Sequence, residues 1–160
     1  MTIENSNMAM KVWVQNLIST IVLVCSIAAF YTIPFFNNPV FGVITRTQLI
    51  IVLLVIYLII VLIPIVKKYQ YVHFSNENNS ITIKYYTLGY FSGTKKNIQF
   101  PIQEFHGFEL KKSFLNLHEN LVVFRKMKKG IANYPPVSVT GLNPIQITKL
   151  KETLTYLITK

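Results

Sequence analysis

The 18 residues from Leu49 to Val66, LIIVLLVIYLIIVLIPIV, carry no charged side chain and run directly into Lys67 and Lys68. At ~1.5 Å of rise per residue a helix of this length spans about 27 Å, close to the ~30 Å hydrocarbon core of a bilayer. The segment therefore reads as a transmembrane helix, and it fixes the class of protein before any other residue is considered.

Charge divides the chain at the Val66/Lys67 junction. Residues 1–66 hold only Lys11, Arg46 and Glu4, so 14 of the 16 Lys and Arg and five of the six acids lie beyond it, a formal +9 for the second part. This step in hydropathy and charge marks a membrane anchor followed by one small soluble domain. Fewer than 100 residues bury a single core.

A second apolar run, Leu17 to Phe36, is also uncharged over 20 residues, with Trp13 just upstream where an interfacial aromatic belongs. Ser19, Ser26 and Ala29 fall on one face of that helix, and small residues on one face let a neighbouring helix approach closely. The two spans, about 14–36 and 48–66, are expected to form a helical hairpin, with Asn38, Pro39 and Gly42 breaking the connection between them. Lys11, Lys67, Lys68 and Lys84 lie on one side of the spans and Arg46 on the other, which places both termini in the cytoplasm.

The first span is expected to be retained rather than cleaved, because MTIENSNMAMK holds one basic residue and the apolar run exceeds a signal core. Cys25 follows Val24, where a lipidation site needs a small side chain, so it reads as a small apolar residue within the membrane. A lone cysteine forms no intramolecular disulfide.

Beyond Lys68 the period changes to two. Ile81, Ile83 and Tyr85 alternate with Thr82, Lys84 and Tyr86, and Ile98, Phe100 and Ile102 alternate with Asn97 and Gln99, the pattern of half-buried strands. Further strands are expected over 69–75, 105–112, 121–127 and 131–140, with turns at 76–80, 89–96 and 128–130. No crossover helix separates them, so pairing should be antiparallel. The chain closes on one amphipathic helix: Asn143 caps, Pro144 suits the first turn, and Ile147, Leu150, Leu154 and Leu157 form an apolar stripe that needs the strands as its partner.

The stretch YPPVSVTGLNP, Tyr134 to Pro144, running into ITKLKETLTYL, resembles the close of a pleckstrin-homology-type domain, specifically the bacterial PH-like domains attached to short membrane hairpins. The resemblance covers roughly residues 69–160 and describes packing and capping rather than chemistry. It implies an α+β membrane protein: a two-helix transmembrane anchor over 1–66, then a cytoplasmic antiparallel PH-like domain over 69–160 closed by a C-terminal helix, in a bacterial inner membrane. Eukaryotic relatives of that fold hold inositol phosphates with basic residues around the first strand turn. Here that turn is SNENNS, with Glu77 and no basic residue, so phosphoinositide binding is not implied.

The basic residues instead group at Lys67–Lys68, Lys95–Lys96, Lys111–Lys112 and Arg125, Lys126, Lys128 and Lys129. They read either as a solvated rim or as a contact for anionic lipid or a protein partner, since each Lys near an anionic leaflet contributes ~1 kcal/mol. No recognition module for nucleic acid accompanies them. Catalysis has little to draw on: the chain lacks Asp; Glu104 and His106, expected on one strand face by their i, i+2 spacing, give at most half of a metal site; and His118 and Glu119 are expected on opposite faces. No Gly-rich phosphate loop, Cys-x-x-Cys or Gly-x-Ser-x-Gly is present, and no cofactor or metal is expected. The sequence points to a non-enzymatic membrane protein whose domain serves as an interaction or regulatory module, a subunit or accessory of a membrane complex. An oligomeric channel-like or membrane-disrupting effector is the alternative, with a hydrolase third. The bilayer, and a protein partner or further copies of the chain, are the expected partners.

Overall fold

The structure, a computed structural model, describes residues 1–40, 43–89, 93–113, 118–128 and 130–159. It begins with a strand, β1 (Thr2–Glu4), and after Asn5 alone enters α1 (Ser6–Thr32). Pro34 ends α1 and opens a 3₁₀ turn over Pro34–Asn37, as expected where a proline bars the preceding residue from the helical region. The return helix, α2 (Arg46–Val66), starts on a capping box in which the Gln48 N–H donates to Thr45 Oγ1 and the Thr45 N–H to Gln48 Oε1 (3.4 and 2.8 Å). Arg46 donates to the Phe36 carbonyl and to Asn37 Oδ1, with its guanidinium carbon 5.2 Å from the Tyr31 ring centre, which ties the two helices together at this end.

Both helices are long and apolar enough to cross a membrane. At ~1.5 Å per residue they measure about 40 and 31 Å, and their outward faces stand bare, with Val24 59% and Ile59 57% exposed. They lie against each other, and the Thr20 and Tyr57 hydroxyls approach to 3.3 Å between them. The first helix starts and ends earlier than the span of 14–36, and Phe36 falls in the 3₁₀ turn. Hydropathy located the apolar run, whereas the helix continues below it because Val12 and Asn16 are buried at 3 and 7% exposure.

The C-terminal end of α2 is closed by a Schellman turn. The Tyr69 N–H donates to the Pro64 carbonyl and the Lys68 N–H to that of Ile65 (2.9 and 3.0 Å), with Lys68 in the left-handed region at φ +47°. The chain then enters β2 (Gln70–Ser75), β3 (Ser80–Thr87) and β4 (Lys96–Pro101), followed by a 3₁₀ turn over Ile102–Glu104, β5 (Phe105–Ser113), β6 (His118–Met127), β7 (Gly130–Asn133), β8 (Val137–Ser138) and α3 (Pro144–Thr159). The β2–β3 hairpin turns on Asn78 and Asn79, both at positive φ, with the Ser80 N–H donating to the Glu77 carbonyl, a type I′ turn.

All strand pairs are antiparallel, in two four-stranded sheets: β1-β2-β3-β4, and β5-β6-β7 with β8 also on β6. A single strand over 131–140 was expected. Two short ones form instead, because Pro135 and Pro136 have no N–H for the ladder. The inner faces supply Phe74, Ile81, Ile83, Phe100, Leu121 and Val123, and α3 closes the core with Leu150 and Leu154, both at most 1% exposed. Asn143 and Gln146 cap α3 reciprocally, at 2.7 and 3.0 Å.

The sequence pattern gave no sign of β1. It pairs with β2 from Thr2↔Ser75 to Glu4↔His73 and buries Ile3 in the core, so the sheet reaches outside residues 69–160. Asn5 completes this joint. Its side-chain NH₂ donates to the Gln70 carbonyl and its Oδ1 accepts from the Val72 N–H, both at 2.8 Å, prolonging the ladder by an amide that imitates backbone. That amide is thus unavailable to cap α1, which has no side-chain cap. Gly141 leaves the room for it, and Gln146 Nε2 donates to the Glu4 carbonyl at 2.7 Å, fastening β1 to α3 as well.

Candidate functional site

The Asn5 joint pins α1 at its first turn, beside the end of the first sheet that carries Tyr71 and Tyr86. Between them opens a groove of about 910 Å³. One wall is a helical stripe, Ala9, Trp13, Asn16, Leu17 and Thr20, which recurs at the spacing of a single face. The other is the last turn of the sheet: Tyr71, Tyr86, Thr87 and Leu88. Apolar atoms dominate the lining.

Tyr71 and Tyr86 are directly opposite in the β2–β3 register and stack with centroids 4.9 Å apart and 25° between planes. The Tyr71 hydroxyl donates to Glu4 Oε2 at 3.2 Å. Its removal from water, and then the nearby Glu4 carboxylate, raise the Tyr71 pKa above the ordinary tyrosine value. Tyr85, on the opposite face and buried in the core, is raised by burial alone. Lys95 Nζ stands 6.0 Å from the Tyr86 ring centre. Next to the groove a smaller depression of about 390 Å³ shares Tyr71 and Tyr86 and is edged by Lys84, Lys95 and Lys96.

The cationic residues are not one patch. Lys96 pairs with Tyr85, at the end of β4 nearest α2, and Lys67 and Lys68 lie in the turn that leads into the same end of the sheet, Lys67 with Nζ 5.9 Å from the Tyr69 ring centre. Lys126 and Lys128 are exposed at the tip of the β6–β7 hairpin, and Lys129 lies outside the described residues. Arg125, from that hairpin, sits beside Phe100, with its guanidinium carbon 5.9 Å from the ring centre. Phe100 is four residues beyond Lys96 on β4, about 13 Å at ~3.3 Å per residue. Lys111 is paired with Glu109 at 3.0 Å on the surface.

Glu104 and His106 do not share a strand face. Glu104 lies in the 3₁₀ turn, where Arg125 Nε reaches its Oε2 at 2.6 Å, while Arg125 Nη1 donates to the Tyr134 hydroxyl at 3.0 Å. These two hydrogen bonds, Tyr134 first, raise the Arg125 pKa further. His106 is exposed at a register irregularity in β5. His118 is buried, and no cluster of three metal-ligating side chains occurs among the described residues. Comparison with protein families, characterised proteins and solved structures finds no match for this chain.

Ser19, Ser26 and Ala29 all fall among the half-buried positions of α1, with Leu23, Ile27 and Phe30, while Cys25 is exposed. Ser19 donates back to the Asn16 carbonyl of its own helix at 2.9 Å. Thr20 and Tyr57, neither of them among the small residues of that face, make a polar contact between the helices. The Tyr71–Tyr86 wall was equally absent from a reading centred on charge, although alternation in β3 places Tyr86 on the outer face with Lys84. What the arrangement offers chemically is recognition: an apolar groove, a stacked aromatic pair, and Lys84 and Lys95 at the adjoining depression.

Proposed function

We propose that this chain is a multi-pass membrane protein in which a two-helix transmembrane hairpin carries a PH-like domain on the cytoplasmic face of a bacterial inner membrane, where the domain acts as a non-enzymatic interaction module of a membrane complex. One observation carries the reading. Both apolar helices feed the same sheet through very short connections, Asn5 alone between β1 and α1 and residues 67–69 between α2 and β2. A domain held at two points has one orientation toward the bilayer, whereas a single flexible linker would let it tumble. Such an attachment is suited to presenting a fixed surface to a neighbour in the same membrane.

Two antiparallel sheets closed by a C-terminal helix support the PH-like element of the proposal. Lys11, Lys67, Lys68 and Lys84 near the span ends on one side, against Arg46 on the other, support its cytoplasmic placement. Native mass spectrometry of the full chain, extracted from its own membrane into nanodiscs, tests the functional element. A defined hetero-complex is the expected result. A homo-oligomer of many copies with no second protein would replace the interaction module by the channel-like alternative.

A further inference from the structure

We propose that the groove between α1 and the Tyr71–Tyr86 pair binds one anionic phospholipid of the adjoining leaflet, an acyl chain lying along α1 and the phosphate held by Lys84 and Lys95. The proposal rests on α1 and α2 spanning a bilayer, and it assigns a ligand class to the groove within that arrangement.

Three features of the groove select this occupant. First, at about 910 Å³ it lies in the ~300–1,000 Å³ range of built ligand sites. Second, its long wall is α1 itself. Trp13 and Leu17 line it while remaining 62 and 44% exposed, and Thr20, at the deeper end, touches Tyr57 near the middle of α2. The channel therefore rises out of the apolar layer and ends beside the sheet, so a molecule entering sideways from the leaflet keeps its chain among apolar atoms throughout. Bilayer lipid is the species at highest local concentration there.

Third, the charges at its upper end are complementary to a phosphate. Lys84, Lys95 and Lys96 edge the depression that shares Tyr71 and Tyr86 with the groove. The opposing charge is Glu4, whose oxygens accept from Tyr71 and Ser6 at 3.2 Å each. Lys96 is opposite Tyr85 and so on the other face, which leaves Lys84 and Lys95 to outnumber the one engaged carboxylate and favour a net-negative head group over a zwitterionic one.

Trp13 is the single tryptophan of the chain and forms part of the groove wall, so it reports occupancy directly. The full chain is reconstituted in nanodiscs carrying a minority of phospholipid brominated on its acyl chains, either phosphatidylglycerol or phosphatidylcholine at equal fraction. Brominated phosphatidylglycerol should quench Trp13 the more strongly, with a relative affinity roughly tenfold higher. Lys84→Gln/Lys95→Gln should abolish the difference, and Lys126→Gln/Lys128→Gln should leave it intact. Equal quenching of the unmodified protein by the two lipids overturns the site while leaving membrane insertion standing. An equal loss of preference in both variants also overturns it, since general surface charge then accounts for the effect. Absence of quenching by either lipid overturns the spanning arrangement together with the site.

Discussion

Replacing Gly141 with Ala should break the joint that holds the amino-terminal strand in the sheet. A Cβ at this position would stand 2.8 Å from Asn5 Nδ2, 3.4 Å from the Gln70 carbonyl oxygen and 3.5 Å from Met8 Cγ. The first of these is shorter than a carbon–nitrogen contact tolerates, and the atom in the way is not a free side-chain end. It belongs to an amide fixed by two hydrogen bonds of 2.8 Å, at a residue only 3% exposed. Displacing that amide strands the Val72 N–H and the Gln70 carbonyl, and each buried group left unpaired costs roughly 1–3 kcal/mol. Gly141→Ala should thus destabilise the domain by about 3 kcal/mol. Asn5→Ala removes the same two bonds and should cost a similar amount, but it also vacates the space that the new methyl needs. The double variant should then be no less stable than Asn5→Ala alone, a coupling on the order of 2–3 kcal/mol between the two sites. Urea unfolding of the full chain in detergent micelles measures all four corners of this cycle, and hydrogen exchange at Val72 reports the local opening. Strict additivity, or a cost below about 0.5 kcal/mol for Gly141→Ala, would show that Gly141 and Asn5 are not in steric conflict, because surface substitutions without a specific contact fall within that range.

Lys68 occupies a left-handed position that disfavours side chains by ~1–2 kcal/mol, so Lys68→Gly should be neutral or raise the thermal midpoint and Lys68→Val should lower it, as read by circular dichroism. Leu154 is fully buried under α3, and Leu154→Ala should destabilise by about 2–5 kcal/mol in the same urea assay. Tyr71 and Tyr85 hold their protons more tightly in the folded chain than at the ordinary value of 10.0. Between that value and their folded pKa values the folded state therefore binds the more protons, so stability stays level through neutrality and falls as pH rises past 10. Tyr71→Phe/Tyr85→Phe should flatten that alkaline decline in thermal midpoint.

Hydropathy made the two apolar helices legible, and periodicity the strands and the α3 stripe, since these depend on which residues meet water and which meet the core. Asn143 and the asparagine turn at Asn78–Asn79 were readable for a local reason, because their roles are completed within three residues. Illegible were the features whose partners lie far along the chain. Three residues of β1 are too few to display a period, and their partner strand lies beyond both helices. Glu104 looked like a companion to His106 two residues away, whereas Arg125, 21 residues on, claims its carboxylate. The groove was hidden in the same way. Its helix wall was visible only as a membrane span, and its lysine mouth as part of a longer list of cations that the fold then separates along β4.

Both apolar helices should cross the bilayer and return the chain to one β domain that draws strands from either end of the helix pair. Impermeant maleimide labelling in intact cells tests this most directly, using Thr2→Cys, Asn38→Cys, Glu77→Cys and Glu152→Cys, each in a Cys25→Ser background. Asn38→Cys, in the segment between α1 and α2, should react from outside, while the other three should react only after the membrane is opened. Labelling of Asn38→Cys and Glu77→Cys from the same side, or of Thr2→Cys and Glu77→Cys from opposite sides, would rule out this topology.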